Sequence, residues 1–190
     1  ILLSAVKAYV DDLSTSQPEN VTELLNFFDQ TFGNLNSLVI RVLGRETSEE
    51  AFQAGYHIAR AQGLSRMLRN LPATVSRGFI CIPREICRRE SVSITDLMTL
   101  TDIGPLPEQV GKVIRIIAEI AEEELYKGRE LRCALEPGVR AALLTGLLAA
   151  RELDALKVSE FDPRRLRHWS LEPGLISIFK LWWSARRGVY

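Results

Sequence analysis

Apolar residues recur along this chain at helical spacing, and capping residues, glycines and prolines punctuate them. From Asn20, with Glu23 as its capping partner, Leu24, Leu25, Phe28, Phe32, Leu35, Leu38, Val39 and Val42 form one run that Gly44 ends. Thr47 with Glu50 repeats the capping pattern and predicts a second helix from Glu49 to Leu71, stopped before Pro72. Its small residues, Ala51, Ala54, Gly55, Ala59, Ala61 and Gly63, let neighbouring backbones come close, which predicts a central place in a bundle. Residues 73–83 read as an irregular connector, and Ser93 with Asp96 caps a short helix beyond it. After the breaks at Gly104, Pro105 and Pro107, a helix over Glu108–Leu135 carries Val110, Val113, Ile114, Ile117, Ile120, Ala121 and Leu125 as its apolar stripe. Pro137-Gly138 opens a further helix to Lys157, Asp162-Pro163 a short one, and Pro173 a last one. No segment alternates as a strand does, so the expected class is all-α: a helical bundle of at least six helices without a sheet.

Composition narrows the function classes. A length of 190 residues suits one domain, 1–190, and 46% hydrophobic with 25% charged residues supplies a core. Lys+Arg and Asp+Glu number 24 each, so nucleic acid is not indicated by charge. Cys81, Cys87 and Cys133 have neither disulfide-framework nor zinc spacing, which fits a reducing compartment. His57 and His168 are the only histidines and read as ordinary imidazoles. The most apolar runs, Val139–Ala150 and Leu175–Trp183, fall short of the roughly 20 residues that span a bilayer. The chain opens at Ile1 without an initiator Met, so a processed or partial protein is expected, with any targeting peptide out of view.

Candidate chemistry is sparse. The acidic i,i+4 pairs are Glu46 with Glu50, at a helix start where carboxylates favour the dipole, and Glu119 with Glu123, on a polar face where Arg115 can pair with Glu119. Asp11 and Asp12 are adjacent and diverge on a helix. Arg84, Arg88 and Arg89 form a basic turn. No phosphate loop or nucleophile elbow is visible, so no catalytic residue, metal site or cofactor is expected.

The run Ala61-Gln62-Gly63-Leu64-Ser65-Arg66-Met67-Leu68-Arg69-Asn70-Leu71-Pro72, followed by Ser76-Arg77-Gly78-Phe79-Ile80-Cys81-Ile82-Pro83, resembles the second signature of the squalene and phytoene synthase family. There a helix ending in Leu-Arg-Asp leads, through a second Asp four residues on, to Arg-Gly and an apolar-Pro segment. Leu25-Asn26-Phe27-Phe28 through Leu43-Gly44 is similar to the family's preceding helix, and the likeness in motif covers roughly residues 20–90. Within the family the chain looks less like the synthases than like a mitochondrial branch that assists assembly of respiratory complex I. The shared features are Ala61-Gln62-Gly63, Leu68-Arg69 with Pro72, Ser76-Arg77, Ile82-Pro83, Ile86-Cys87 and the aromatic, basic tail from Trp182-Trp183 to Tyr190. It departs from that branch at Arg66 and Asn70, and the N-terminal third of the family fold, with the first Asp-rich motif, is missing from it.

The resemblance implies the trans-isoprenyl-synthase bundle without its chemistry. Asn70 and Thr74 stand at the two Asp positions and Arg66 at a cavity-facing Asn, a degenerate substrate and metal motif. An amide and a hydroxyl bring no charge to hold magnesium, and a guanidinium opposes it. Arg66, Arg69 and Arg77 are then candidate anion contacts. The implied function is a non-enzymatic assembly factor or scaffold in the mitochondrial matrix, peripheral to the inner membrane, with mitochondrial proteins as partners and a lipid as candidate ligand. Two alternatives stay open: a recruited subunit of another machine such as the mitoribosome, and a prenyl-diphosphate transferase with metal ligands outside these residues. Ile176, Phe179, Lys180, Trp182, Trp183, Arg186 and Arg187 make the C-terminal segment a candidate partner or membrane surface.

Overall fold

A computed structural model describes residues 17–44 and 48–168. Among them every regular element is helical: α1 Val21–Phe28, α2 Asn34–Leu43, α3 Glu49–Val75, α4 Arg84–Arg89, α5 Ile94–Met98, α6 Glu108–Glu130, α7 Pro137–Ala142 and α8 Thr145–Val158. A π-helical turn, Asp29–Gly33, joins α1 to α2, and 3-10 turns occupy Thr99–Thr101, Leu131–Ala134 and Pro163–His168. The all-α expectation therefore holds over the described residues.

Sequence chemistry accounts for most boundaries. Asn20 caps α1, its Oδ1 accepting from the Glu23 amide at 2.8 Å, although the Glu23 carboxylate reaches one residue further back, to the Glu19 amide at 2.7 Å. The cap of α3 is Ser48, which accepts from the Ala51 amide at 3.3 Å; Thr47 lies outside the described residues. Ser93 and Asp96 form the reciprocal capping box. Pro72 does not stop α3, which runs on to Val75. Leu71 and Val75 on either side of Pro72 are fully buried, so core packing holds the last turn in register despite the missing amide. The helix expected from Pro137 to Lys157 is broken at Leu143 and Leu144 into α7 and α8.

Helix α3 is the axis of the bundle, packed by α1, α2, α6 and α8. Its Ala51, Ala54, Gly55, Ala59, Ala61 and Gly63 are all buried. A methyl at Gly55 would stand 2.7 Å from Ile40 Cδ1, and one at Gly63 would run into the ring of Phe28. Ile58 fills the space above Gly128 of α6 and Gly146 of α8. Around this axis Leu64, Leu68, Leu71, Ile114, Ile117, Leu143 and Leu156 are sealed from water in one core. Each such side chain stabilises the fold by about 1.5–3 kcal/mol relative to exposure.

Candidate functional site

Residues Arg66 and Asn70 lie exposed one turn apart on α3, and Thr74 is half-buried a further turn on. The Thr74 hydroxyl is spent on its own helix, donating to the carbonyls of Leu71 at 2.9 Å and Asn70 at 3.3 Å. Arg69 bridges outward from them: its Nε donates to Asn70 Oδ1 at 3.4 Å and its Nη1 to Glu152 Oε1 of α8 at 2.7 Å, and the buried Ser65 hydroxyl donates to Glu152 Oε2 at 2.8 Å. Arg69 thus ties α3 to α8. Arg66 and Arg77 are exposed and make no ion pair among the described residues.

A cleft of about 1650 Å³ runs beside the C-terminal half of α3, bounded by the first half of α6, the 100–108 segment and residues 159–166. Arg69, Asn70 and Arg77 line it, whereas Arg66 and Thr74 stand outside it. Its far wall is clamped by Arg164, whose Nε and Nη2 each donate to Asp162 at 2.8 Å while Nη1 donates to the carbonyls of Asp102 at 3.0 Å and Gly104 at 2.8 Å. Burial pushes the Asp162 carboxyl up, but hydrogen bonds and charge from Arg164 outweigh it and hold the group below its ordinary range. Glu160 and Phe161 take left-handed backbone, at φ 57° and 62°, conformations that disfavour L side chains by about 1–2 kcal/mol each. That turn sets Phe161 beneath Arg115, whose guanidinium carbon lies 4.8 Å from the ring centroid. The surface pair expected between Arg115 and Glu119 is replaced by this stacking.

Magnesium on a diphosphate calls for several carboxylate oxygens. The residues here offer an exposed amide, a hydroxyl already committed and guanidinium groups, so they do not fit the ion. Among the described residues no three His, Cys, Asp or Glu side chains gather as a metal site.

A second polar cluster went unnoticed in the sequence. Arg60 of α3 grips Asp29 of the π-turn through two bonds of 2.7 Å and reaches Glu124 of α6 at 3.3 Å, and His57 Nδ1 lies 2.8 Å from Glu124 Oε2. Burial raises the Glu124 carboxyl, yet His57 and Arg60 together hold it below its usual range. The bonds to Asp29 raise Arg60 beyond its ordinary range. The visible signal was periodicity: Glu124 falls three residues after Ala121 on the apolar stripe, as Glu152 falls three after Ala149 on α8. The candidate surface at Ile176, Phe179, Lys180, Trp182, Trp183, Arg186 and Arg187 lies outside the described residues, as does the helix expected from Pro173.

Comparison with known proteins follows the same lines. The sequence profile described as squalene/phytoene synthase matches residues 1–172. The chain is 34% identical over 143 residues to the mouse (Mus musculus) protein named NADH dehydrogenase (ubiquinone) complex I, assembly factor 6, covering 75% of this chain and 41% of that protein. It is 27% identical over 143 residues to the Drosophila melanogaster homolog of that factor, covering 75% and 42%. The bovine (Bos taurus) factor is 26% identical over 171 residues, covering 90% and 49%. The chain spans about half the length of these relatives or less. Among solved structures, a dehydrosqualene synthase in complex with ligand superposes with a TM-score of 0.81 at 16% identity, over 98% of this chain and 63% of that one. The squalene synthase HpnC from Alicyclobacillus acidocaldarius gives 0.76 at 17%, over 85% and 60%. At such identity the superpositions speak for the fold alone.

Proposed function

We propose that this chain, which belongs to the squalene/phytoene synthase family, has given up prenyl-diphosphate chemistry and works as a mitochondrial assembly factor of respiratory complex I. The observation that carries the reading is the face of α3: where the family signature has two carboxylates and an amide, this chain has Asn70, Thr74 and Arg66. The change moves local charge by about three units toward positive, and close charges interact by several kcal/mol even at intermediate dielectric. The names of the mouse, bovine and fly relatives supply the partner complex. The bundle is retained as a rigid platform, its core intact and its exposed cleft available to other proteins. Nothing in the cleft or in those names points to the mitoribosome.

No helix among the described residues is long and apolar enough to cross a membrane. Contact with the inner membrane falls to the C-terminal segment, where Trp182 and Trp183 neighbour Arg186 and Arg187.

The test is chemical. Purified protein incubated with magnesium and prenyl diphosphates is expected to release no diphosphate. The combined variant Arg66→Asn, Asn70→Asp, Thr74→Asp is expected to bind magnesium more tightly than the unaltered protein. Robust metal-dependent turnover by the unaltered protein would overturn the reading in favour of a working transferase. An unchanged metal affinity in the variant would show that these three positions are not the family's metal-facing set.

A further inference from the structure

We propose that the cleft beside α3 is a docking groove for an acidic, partly apolar segment of a partner protein. The proposal rests on the scaffold reading and names the chemistry of its partner. At about 1650 Å³ the cleft exceeds the roughly 300–1,000 Å³ of small-molecule pockets. Its walls carry two cations that no carboxylate neutralises among the described residues: Arg77 at the end of α3 and Arg115 on α6. The remaining lining cations are committed. Arg69 pairs with Glu152, Lys112 with Glu108, Arg164 with Asp162, and Arg165 stands 3.6 Å from Glu160. Asp102, the lining carboxylate without an ion pair, acts on Arg164. Two guanidinium groups contributed by different helices suit carboxylates spaced along a peptide.

The apolar half of the match is also present. Ile103 at the cleft is fully exposed, and Leu106 and Phe161 beside it are half-buried. The Arg164 clamp and the left-handed turn at Glu160 and Phe161 fix these groups before any partner arrives, which lowers the ordering cost of binding. A flat bilayer cannot follow a concave wall. The chain's own C-terminal segment, with Lys180, Arg186 and Arg187, has the same sign as the groove. Residues 1–16 contain Asp11 and Asp12 and are the internal competitor.

The experiment places a photo-crosslinking amino acid at Ile103 of the full protein in mitochondria, with a second at exposed Val42 on α2 as the remote control, and maps the crosslinked peptides by mass spectrometry. The expected product at position 103 is a partner segment rich in Asp, Glu and apolar residues. In the Arg77→Glu, Arg115→Glu double variant its yield is expected to fall about tenfold or more, and in the Arg77→Lys, Arg115→Lys variant to persist. Circular dichroism on both variants checks that the bundle is intact. Adducts to lipid, to residues 1–16, to a second copy of this chain or to a basic segment would overturn the proposal, as would a yield indifferent to charge reversal. Complex I assembly, read separately in the same cells, distinguishes a failed groove from a failed scaffold: normal assembly with the charge-reversed protein sinks the groove alone.

Discussion

Two glutamates are buried in this bundle, and both sit where the helical period demands an apolar residue. Glu152 is buried on α8 and holds Arg69 and Ser65 of α3. Its replacement by Ala leaves a guanidinium and a hydroxyl without their partner, and the expected cost is about 2–3 kcal/mol, given that Arg69 keeps some contact with water. Urea unfolding checks it, with Leu153→Ala as a packing control. Glu124 gives a pH-dependent counterpart. Its carboxyl is held below the ordinary glutamate range by His57 and Arg60, so its contribution is present above the unfolded-state value and lost as pH falls through the folded one. Glu124→Gln is therefore expected to lower stability at neutral pH by about 1–3 kcal/mol and to flatten the acid side of the stability profile. An acid limb identical to that of the unaltered protein would contradict the assignment. Both glutamates were legible as stripe positions. Their partners were not, because a one-dimensional pattern says that a charge is buried without saying which helix answers it.

Local signals set the ends of the elements, and tertiary packing decided where they were overruled. The Asn20 cap, the Gly44 stop and the Ser93–Asp96 box all follow from side-chain chemistry that acts over three or four residues. Pro72 misled the reading because its cost is local while the gain from sealing Leu71 and Val75 comes from other helices. The π-turn at Asp29–Gly33 has no sequence mark of its own beyond Gly33, over which the Tyr56 ring packs. The small-residue face of α3 was legible in full, since close approach needs Gly and Ala whatever the neighbour is. Gly63→Ala should then destabilise the protein by about 1–3 kcal/mol through the Phe28 ring, although Ala is the better helix former. Thermal denaturation of the variant measures it, and a gain in stability would mean that Phe28 yields at no cost.

For the whole molecule, the class, the central helix and the family signature could be read from the chain, whereas the cleft could not. Its walls come from segments as far apart as Arg69 and Arg165, and the Arg164 clamp that shapes it bonds backbone carbonyls that no side-chain pattern reveals. Of the residues singled out beforehand, Asn70, Arg69 and Arg77 line that cleft, and Arg66 and Thr74 stand beside it on the same helix. The molecule that results has the packing of the squalene/phytoene synthase fold and presents Arg66, Asn70 and Thr74, a guanidinium, an amide and a hydroxyl, along one helix beside the cleft. Such a surface suits an assembly factor. The most direct measurement is the amount of assembled complex I, by native electrophoresis and in-gel activity, in cells lacking the protein and after re-expression of either the intact protein or its Asn70→Ala variant. Assembly is expected to collapse without the protein and to return with both forms, since Asn70→Ala leaves Arg77 and Arg115 of the cleft in place. Complex I assembled to its normal level in the cells that lack the protein would contradict the account.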